Sequence, residues 1–208
     1  MIWTRDDFAA ETGVSRETLA DYEAWHQLLI RWNARINLVA PGEVPHFWRR
    51  HAYDSWQVTR HLPKGWNRVV DLGSGGGFPG LAIGIAAKHS GSGHVHLVES
   101  VGKKTSFLKA VARELALPLT VHTARVEALE PLDADILTAR AFAPLPKLFA
   151  YAAPHLAPGA ELLLPKGETA DKEVEAARAQ WTFEVERLKS LTQDTAAILR
   201  VRDLQARP

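Results

Sequence analysis

The sequence predicts an α/β fold: a mostly parallel sheet ending in an antiparallel pair of C-terminal strands, preceded by a helical extension. Three observations carry this. Apolar residues recur at the 3.6-residue period of helices up to about residue 64. From Arg68 onward, short β-branched or apolar runs alternate with helical stretches, the pattern of βαβ units. A glycine-rich turn lies where the first of those runs hands over to a helix. The expected organisation is a helical extension over residues 1–64 and a sheet-based domain over residues 65–208.

Within the extension, Thr4 with Asp7 at the capping-box position, and Gly13 beyond, bracket a short helix. Ser15 opens a longer one, in which Leu19, Tyr22, Trp25, Leu29, Trp32 and Ile36 form one apolar face suited to packing. After the turn signal Ala40-Pro41-Gly42, a third helix is expected over about residues 45–62, broken by Pro63-Lys64-Gly65. Strands are expected at 68–72, 95–99, 119–123, 135–139 and 161–164, with helices near 80–88, 103–116 and 145–155. Phe183-Glu184-Val185 and Ala197-Ile198-Leu199 supply the terminal strand pair.

Composition narrows the function. The chain has 46% hydrophobic and 24% charged residues, as a folded globular protein does. It has no cysteine, which excludes disulfides, zinc-thiolate sites, thiol nucleophiles and iron–sulfur ligation. With 25 basic against 24 acidic residues the net charge is +1, so no global field draws nucleic acid non-specifically. No apolar run approaches the roughly 20 residues that span a bilayer, and the first residues lack the order of a signal peptide. The expectation is a cytoplasmic protein without a membrane partner. His94 and His96 alternate along a strand without a third ligand nearby, so no metal site is expected.

The central motif is DLGSGGGFPG, Asp71 to Gly80. Its glycines let the backbone turn sharply and a ligand lie against it without Cβ atoms in the way. Gly75, Gly77 and Gly80 also satisfy the dinucleotide fingerprint, and Glu99 lies 19 residues after Gly80, where a ribose-binding acid is expected. The balance is tipped by Asp71, a carboxylate ending the strand just before Gly73 and Gly75. A pyrophosphate is poorly served there, whereas the ammonium and sulfonium of S-adenosylmethionine favour an acidic turn. Glu99 is suited to accept from both ribose hydroxyls, and Val126 with Glu127 follow the third strand, where an adenine edge belongs. Glu127 is equally suited to a solvated helix start.

The chain resembles the ribosomal RNA small subunit methyltransferase G family, also called glucose-inhibited division protein B. The resemblance spans nearly the whole chain: WNARINLV (from Trp32), RHAYDS (from Arg50), the Asp71–Gly80 turn, LVESVGKK (from Leu97), TARAFAPL (from Thr138) and LPKG (from Leu164). It implies a Rossmann-like class I S-adenosylmethionine-dependent methyltransferase fold, and methylation of guanine N7 in a conserved loop of 16S rRNA. That RNA is the expected partner, naked or within the small ribosomal subunit, and DNA is not. Carried over by motif, the cofactor contacts are Gly73, Phe78, Val126, Glu127 and Arg140. Val126 stands where the family often has alanine, and Pro165 precedes the motif lysine.

Guanine N7 has an in-plane lone pair and no proton to lose, so no general base is expected and catalysis rests on positioning. Arg140 and Lys166 are the positioning candidates, for guanine O6 or a phosphate. Arg140 can instead hold the active-site loop, and Lys166 can be a solvated turn residue. Phe142 offers either a stacking face or core packing, and His51 with Asp54, three apart on a helix, suit docking of the extension. Two rivals remain: a nicotinamide-dependent oxidoreductase, which shares the turn, and a non-catalytic RNA-binding protein with the same fold.

Overall fold

The computed structural model describes residues 2–207. Helix α1 (Arg5–Thr12) begins at Thr4, whose hydroxyl accepts from the Asp7 amide at 3.2 Å while Asp7 accepts from the Thr4 amide at 2.7 Å, and it ends at left-handed Gly13. Helix α2 (Arg16–Asn33) starts at Ser15 and buries Leu19, Tyr22, Trp25, Leu28 and Leu29. Trp32, in the last turn, and Ile36, beyond the end of the helix, are only partly buried against the same core. There Asn33 folds the chain back, its side-chain oxygen accepting from the amides of Leu38 and Val39 at 2.8 and 3.0 Å.

The third expected helix is wound three ways: a 3-10 turn (Pro41–His46), a π-helix (Phe47–Tyr53) and helix α3 (Asp54–Thr59). Over so few turns these windings bury similar stripes, so apolar spacing does not distinguish them. The π-helix buries Phe47, Trp48, His51, Ala52 and Tyr53.

The sheet has seven strands in the order β3-β2-β1-β4-β5-β7-β6. They are β1 (Arg68–Leu72), β2 (His94–Glu99), β3 (Leu119–Thr123), β4 (Ala134–Thr138), β5 (Leu156–Lys166), β6 (Trp181–Lys189) and β7 (Ala197–Ala206). The first five run parallel, and β7 pairs antiparallel with both β5 and β6. Between them lie α4 (Gly80–Ser90), α5 (Gly102–Glu114), α6 (Leu145–Ala152) and α7 (Ala170–Arg178). Helix α6 turns to 3-10 geometry at Ala153–His155, around Pro154. Helix α7 lies outside the expected elements, because its buried residues, Ala170 and Ala177, make too small an apolar stripe to register.

Strand alternation splits the core. Val69, Val95, Leu97 and Ile136 face α4 and α5, and there the extension joins the same cluster through Phe8, Tyr22, Trp25 and Phe47. Val70, Leu72, Val98 and Leu137 face the opposite way, against Leu148 and Phe149 of α6. Asp21 of α2 accepts from Lys88 of α4 at 2.8 Å, which ties the extension across the sheet's helical layer. Strand order reverses between β1 and its neighbours β2 and β4, and at such a switch point a crevice opens at the carboxyl ends of the strands. No helix among the described residues is long and apolar enough to cross a membrane.

Candidate active site

The glycine turn leaves β1 at that switch point. The amides of Gly73 and Ser74 both donate to the Val98 carbonyl, at 2.8 and 3.1 Å, which clips the turn to β2. Gly73, Gly75 and Gly77 adopt φ of 68°, 54° and 93°, left-handed values that L side chains resist. Glu99, ending β2, is 7% exposed and ties two loops together: one oxygen accepts from the Gly75 amide at 3.1 Å, the other from the Val101 amide at 2.8 Å. Each carboxylate oxygen keeps a second lone pair for a ligand.

A cleft of about 320 Å³ opens here, lined by Gly73, Val98, Glu99, Val126, Glu127 and Phe142 among others. Val126 is buried at the start of a 3-10 turn (Val126–Ala128). Glu127 is exposed on its rim and paired with Arg125 at 3.1 Å. The ring of Phe142 lies over Gly73, so close that a Cβ on that glycine would collide with it. Phe142 is thus a wall of the smaller cleft, held edge-on by Tyr151 at 5.6 Å.

Of the predicted cofactor residues, Asp71, Phe78 and Arg140 lie away from this cleft, Arg140 in a neighbouring one. Asp71 is fully buried beneath the turn, against Gly80 at the start of α4, and does not line the cleft. Its oxygens lie close to Ser74 and the Gly80 amide without a well-formed hydrogen bond, the Ser74 hydroxyl donating to the Asp71 main-chain carbonyl instead. Burial pushes its carboxyl up to about 7, although Ser74, the Gly80 amide and Arg140 pull the other way. The ring of Phe78 packs inward, 5.1 Å from Trp25 and stacked at 4.6 Å on His51. Only its backbone is left to meet a ligand.

A second cleft, about 810 Å³, adjoins the first. Its lining sets Arg49, Arg50, Arg140 and Lys166 against the acids Glu43 and Asp54, an excess of basic groups, with Arg50 paired to Glu43 at 2.7 Å. Ala141 borders both clefts and takes a left-handed φ of 53°, uncommon for a residue with a side chain. Arg140 donates to the Asp54 carboxylate at 3.0 Å, the Arg50 carbonyl at 3.2 Å and His51 Nδ1 at 3.1 Å. Lys166 is nearly buried and donates to the Ala143 carbonyl at 2.9 Å and the Glu173 carboxylate at 2.8 Å. Lys166, expected as a positioning residue or else a solvated turn lysine, is here tied internally, reached by β5 running through Pro165 in register with β7.

The structure gathers Gly73, Glu99, Val126 and Glu127 around one cleft and Arg140 with Lys166 around the other; Gly75 joins the first through its bond to Glu99. His51 and Asp54 meet through Arg140 rather than directly. Sequence reasoning missed Glu173, which lies in the omitted α7, and Thr192, which donates to Asp54 at 2.8 Å. Neither stands in a motif that would single it out. His96 Nδ1 lies 2.9 Å from His122 Nε2 across the sheet, and the described residues hold no group of three side chains arranged for a metal ion.

Comparison with known proteins agrees with this geometry. A family model described as GidB, rRNA small subunit methyltransferase G, matches residues 18–200. A ribosomal RNA small subunit methyltransferase G of Paramagnetospirillum magneticum is 44% identical over 199 residues, covering 96% of this chain and 95% of its own. The protein of the same name from Hyphomonas neptunium is 46% identical over 206 residues, covering 98% of both chains. Among solved structures, the PH0226 protein of Pyrococcus horikoshii superposes with a TM-score of 0.61 at 13% identity, over 84% of this chain and 99% of that one. A SAM dependent methyltransferase from Aquifex aeolicus superposes at 0.57 and 14% identity, over 80% and 94%. These structural likenesses establish the fold, while the sequence match fixes the kinship: the chain belongs to the rRNA small subunit methyltransferase G family.

Proposed function

We propose that this protein transfers a methyl group from S-adenosylmethionine to N7 of a guanine in a conserved loop of 16S rRNA, in the cytoplasm. The observation that carries the reading is the pair of clefts meeting at Ala141: one built from a glycine turn and an acid, the other basic. A nucleoside fits the first. Glu99 has lone pairs free for both ribose hydroxyls, Val126 offers an apolar side for adenine, and Gly73 leaves room that a Cβ would take from Phe142. The unpartnered Asp71 carboxylate beneath the turn matches the ammonium and sulfonium by charge rather than by contact.

The same Asp71 argues against a nicotinamide cofactor. A pyrophosphate seeks the amides at a helix N-terminus, but at the start of α4 the Asp71 side chain lies against Gly80, where a second negative charge is unfavourable. A non-catalytic RNA-binding role is disfavoured by the intact turn, since each left-handed glycine is retained.

S-adenosylmethionine supplies an electrophilic methyl group on a cationic sulfur. The chain's own residues bind and orient. Guanine N7 needs no base, and His51 is unsuited to be one: burial, with Arg140 and Arg50 nearby, pulls it down to about 3, and its Nδ1 accepts from Arg140. Arg140 keeps its Nε–H without a partner among the described residues, a donor for guanine O6 or a phosphate oxygen. Lys166 holds the Ala141–Leu145 loop, which separates the clefts. Orientation of this kind contributes roughly 7–11 kcal/mol in favourable systems. The test is to incubate the protein with methyl-labelled S-adenosylmethionine and small ribosomal subunits lacking the modification, then map the label. Label on guanine N7 of 16S rRNA is expected; label on protein, on another base nitrogen or on large-subunit RNA overturns the reading.

A further inference from the structure

We infer that Asp54 and His51 are positioning residues for Arg140, and that through them the helical extension sets the donor edge Arg140 turns towards the RNA. The inference rests on the methyltransferase reading above. Arg140 follows β4 on an irregular stretch of chain, where a long side chain would otherwise sample many rotamers. Here its guanidinium is fixed by two kinds of contact. It is held by the Asp54 carboxylate at 3.0 Å, His51 Nδ1 at 3.1 Å and the Arg50 carbonyl at 3.2 Å. Its Cζ also lies 4.8 Å from the centroid of the Phe78 ring, on which His51 is stacked at 4.6 Å and against which Trp25 packs at 5.1 Å. A planar group so held keeps one orientation, which a donor acting on a transition state requires.

The anchors are themselves anchored. The second Asp54 oxygen accepts from Gln57 Nε2 at 2.9 Å and from the Thr192 hydroxyl at 2.8 Å. Gln57 in turn accepts from the Leu191 amide at 2.9 Å. One carboxylate therefore joins three separate segments that wall the basic cleft: helix α3, the chain after β4 and the β6–β7 loop. His51 is buried and neutral, so its Nδ1 is available as an acceptor from Arg140 across the working pH range. An RNA bound in this cleft touches the segments that hold Arg140, so correct docking and the catalytic donor share one network.

The experiment is a double-mutant cycle on the full chain, read in single turnover with small ribosomal subunits and labelled cofactor. Asp54→Asn keeps the size of the side chain and removes its charge. We expect the methylation rate to fall about tenfold or more, as loss of a charge-assisted bond predicts, with cofactor affinity by calorimetry within about twofold of wild type. In an Arg140→Ala background the same substitution should change the rate by less than about twofold, because the group it positions is gone. His51→Phe keeps the stack on Phe78 and removes the Nδ1 acceptor. It should behave alike, and it carries the test should Asp54→Asn unfold at the assay temperature. A merely structural role predicts losses that multiply in the double variants, or loss of cofactor binding, and either result overturns the inference, as does an unchanged rate in both single variants. Wild-type protein that labels no RNA refutes the proposed function instead. If it labels a different base, the coupling is still read on that product.

Discussion

Asp71 is a carboxyl group buried without a hydrogen-bond partner, and replacing it with asparagine should stabilise the ligand-free protein. Its pKa is raised from 3.8 to about 7, chiefly by burial. Between those values the unfolded chain has lost the proton while the folded chain still binds it, so stability falls as pH rises from about 4 to about 7 and then levels off. At 1.36 kcal/mol for each pH unit, that loss amounts to roughly 4 kcal/mol. An asparagine in place of the acid carries no charge at any pH, so Asp71→Asn should match wild type near pH 4 and exceed it by up to about 4 kcal/mol at pH 8. For a chain of this length that is about 10 °C in Tm. The assay is urea unfolding of ligand-free protein at steps between pH 4 and pH 8. A variant less stable than wild type at pH 8, or a difference that does not change with pH, would show that Asp71 is ionised and satisfied in the native state. The cofactor reverses the preference: a cation above the turn favours the carboxylate. Affinity for S-adenosylmethionine should therefore rise with pH towards 7 in wild type and lose that slope in Asp71→Asn.

Two further perturbations separate ligand-binding from structural roles. Gly73→Val forces a β-branched residue into a left-handed φ of 68° and drives its Cβ into the Phe142 ring, so cofactor affinity should fall by at least about tenfold. Adding Phe142→Ala should restore part of it, and no recovery in calorimetry would mean that the ring clash is not the cause. Lys166→Met keeps the stem and leaves Glu173 and the Ala143 carbonyl without their cation, which should cost about 2 kcal/mol in urea unfolding. Glu173→Gln in the same chain should recover much of that. Lost turnover with unchanged stability would instead place Lys166 in contact with substrate.

The centre of the sheet was legible because β1, β2 and β4 are short, largely apolar runs bounded by turns, and the glycine motif marks where β1 ends; β5 extends five residues before its expected start because Leu156–Ala160 are half-exposed and carry no strand pattern. The caps of α1 and α2 were legible for a local reason: Thr4, Gly13 and Ser15 act on neighbours three or four residues away. The π-winding of Phe47–Tyr53 and helix α7 were not, the first because short windings share one apolar stripe and the second because its buried residues are alanines. At the site, Glu99 could be placed from its spacing to the turn. The inward aim of Phe78 could not, since it depends on packing against Trp25 and His51 of the extension, far off in sequence, nor could the burial of Asp71, which depends on the start of α4 closing against it. Arg140 carries a motif, but its partner Asp54 is 86 residues away and Thr192, which donates to Asp54, is 138 residues from Asp54, both beyond any local pattern.

The claim beneath all of this is that the cleft walled by Gly73, Glu99, Val126 and Phe142 receives the cofactor. A crystal structure of the chain with S-adenosylhomocysteine tests it most directly. The ribose hydroxyls should lie within hydrogen-bond reach of the Glu99 carboxylate, with the adenine beside Val126. Density for the nucleoside in the basic cleft, or along the amides at the start of α4 in place of the Asp71 carboxylate, would contradict the account.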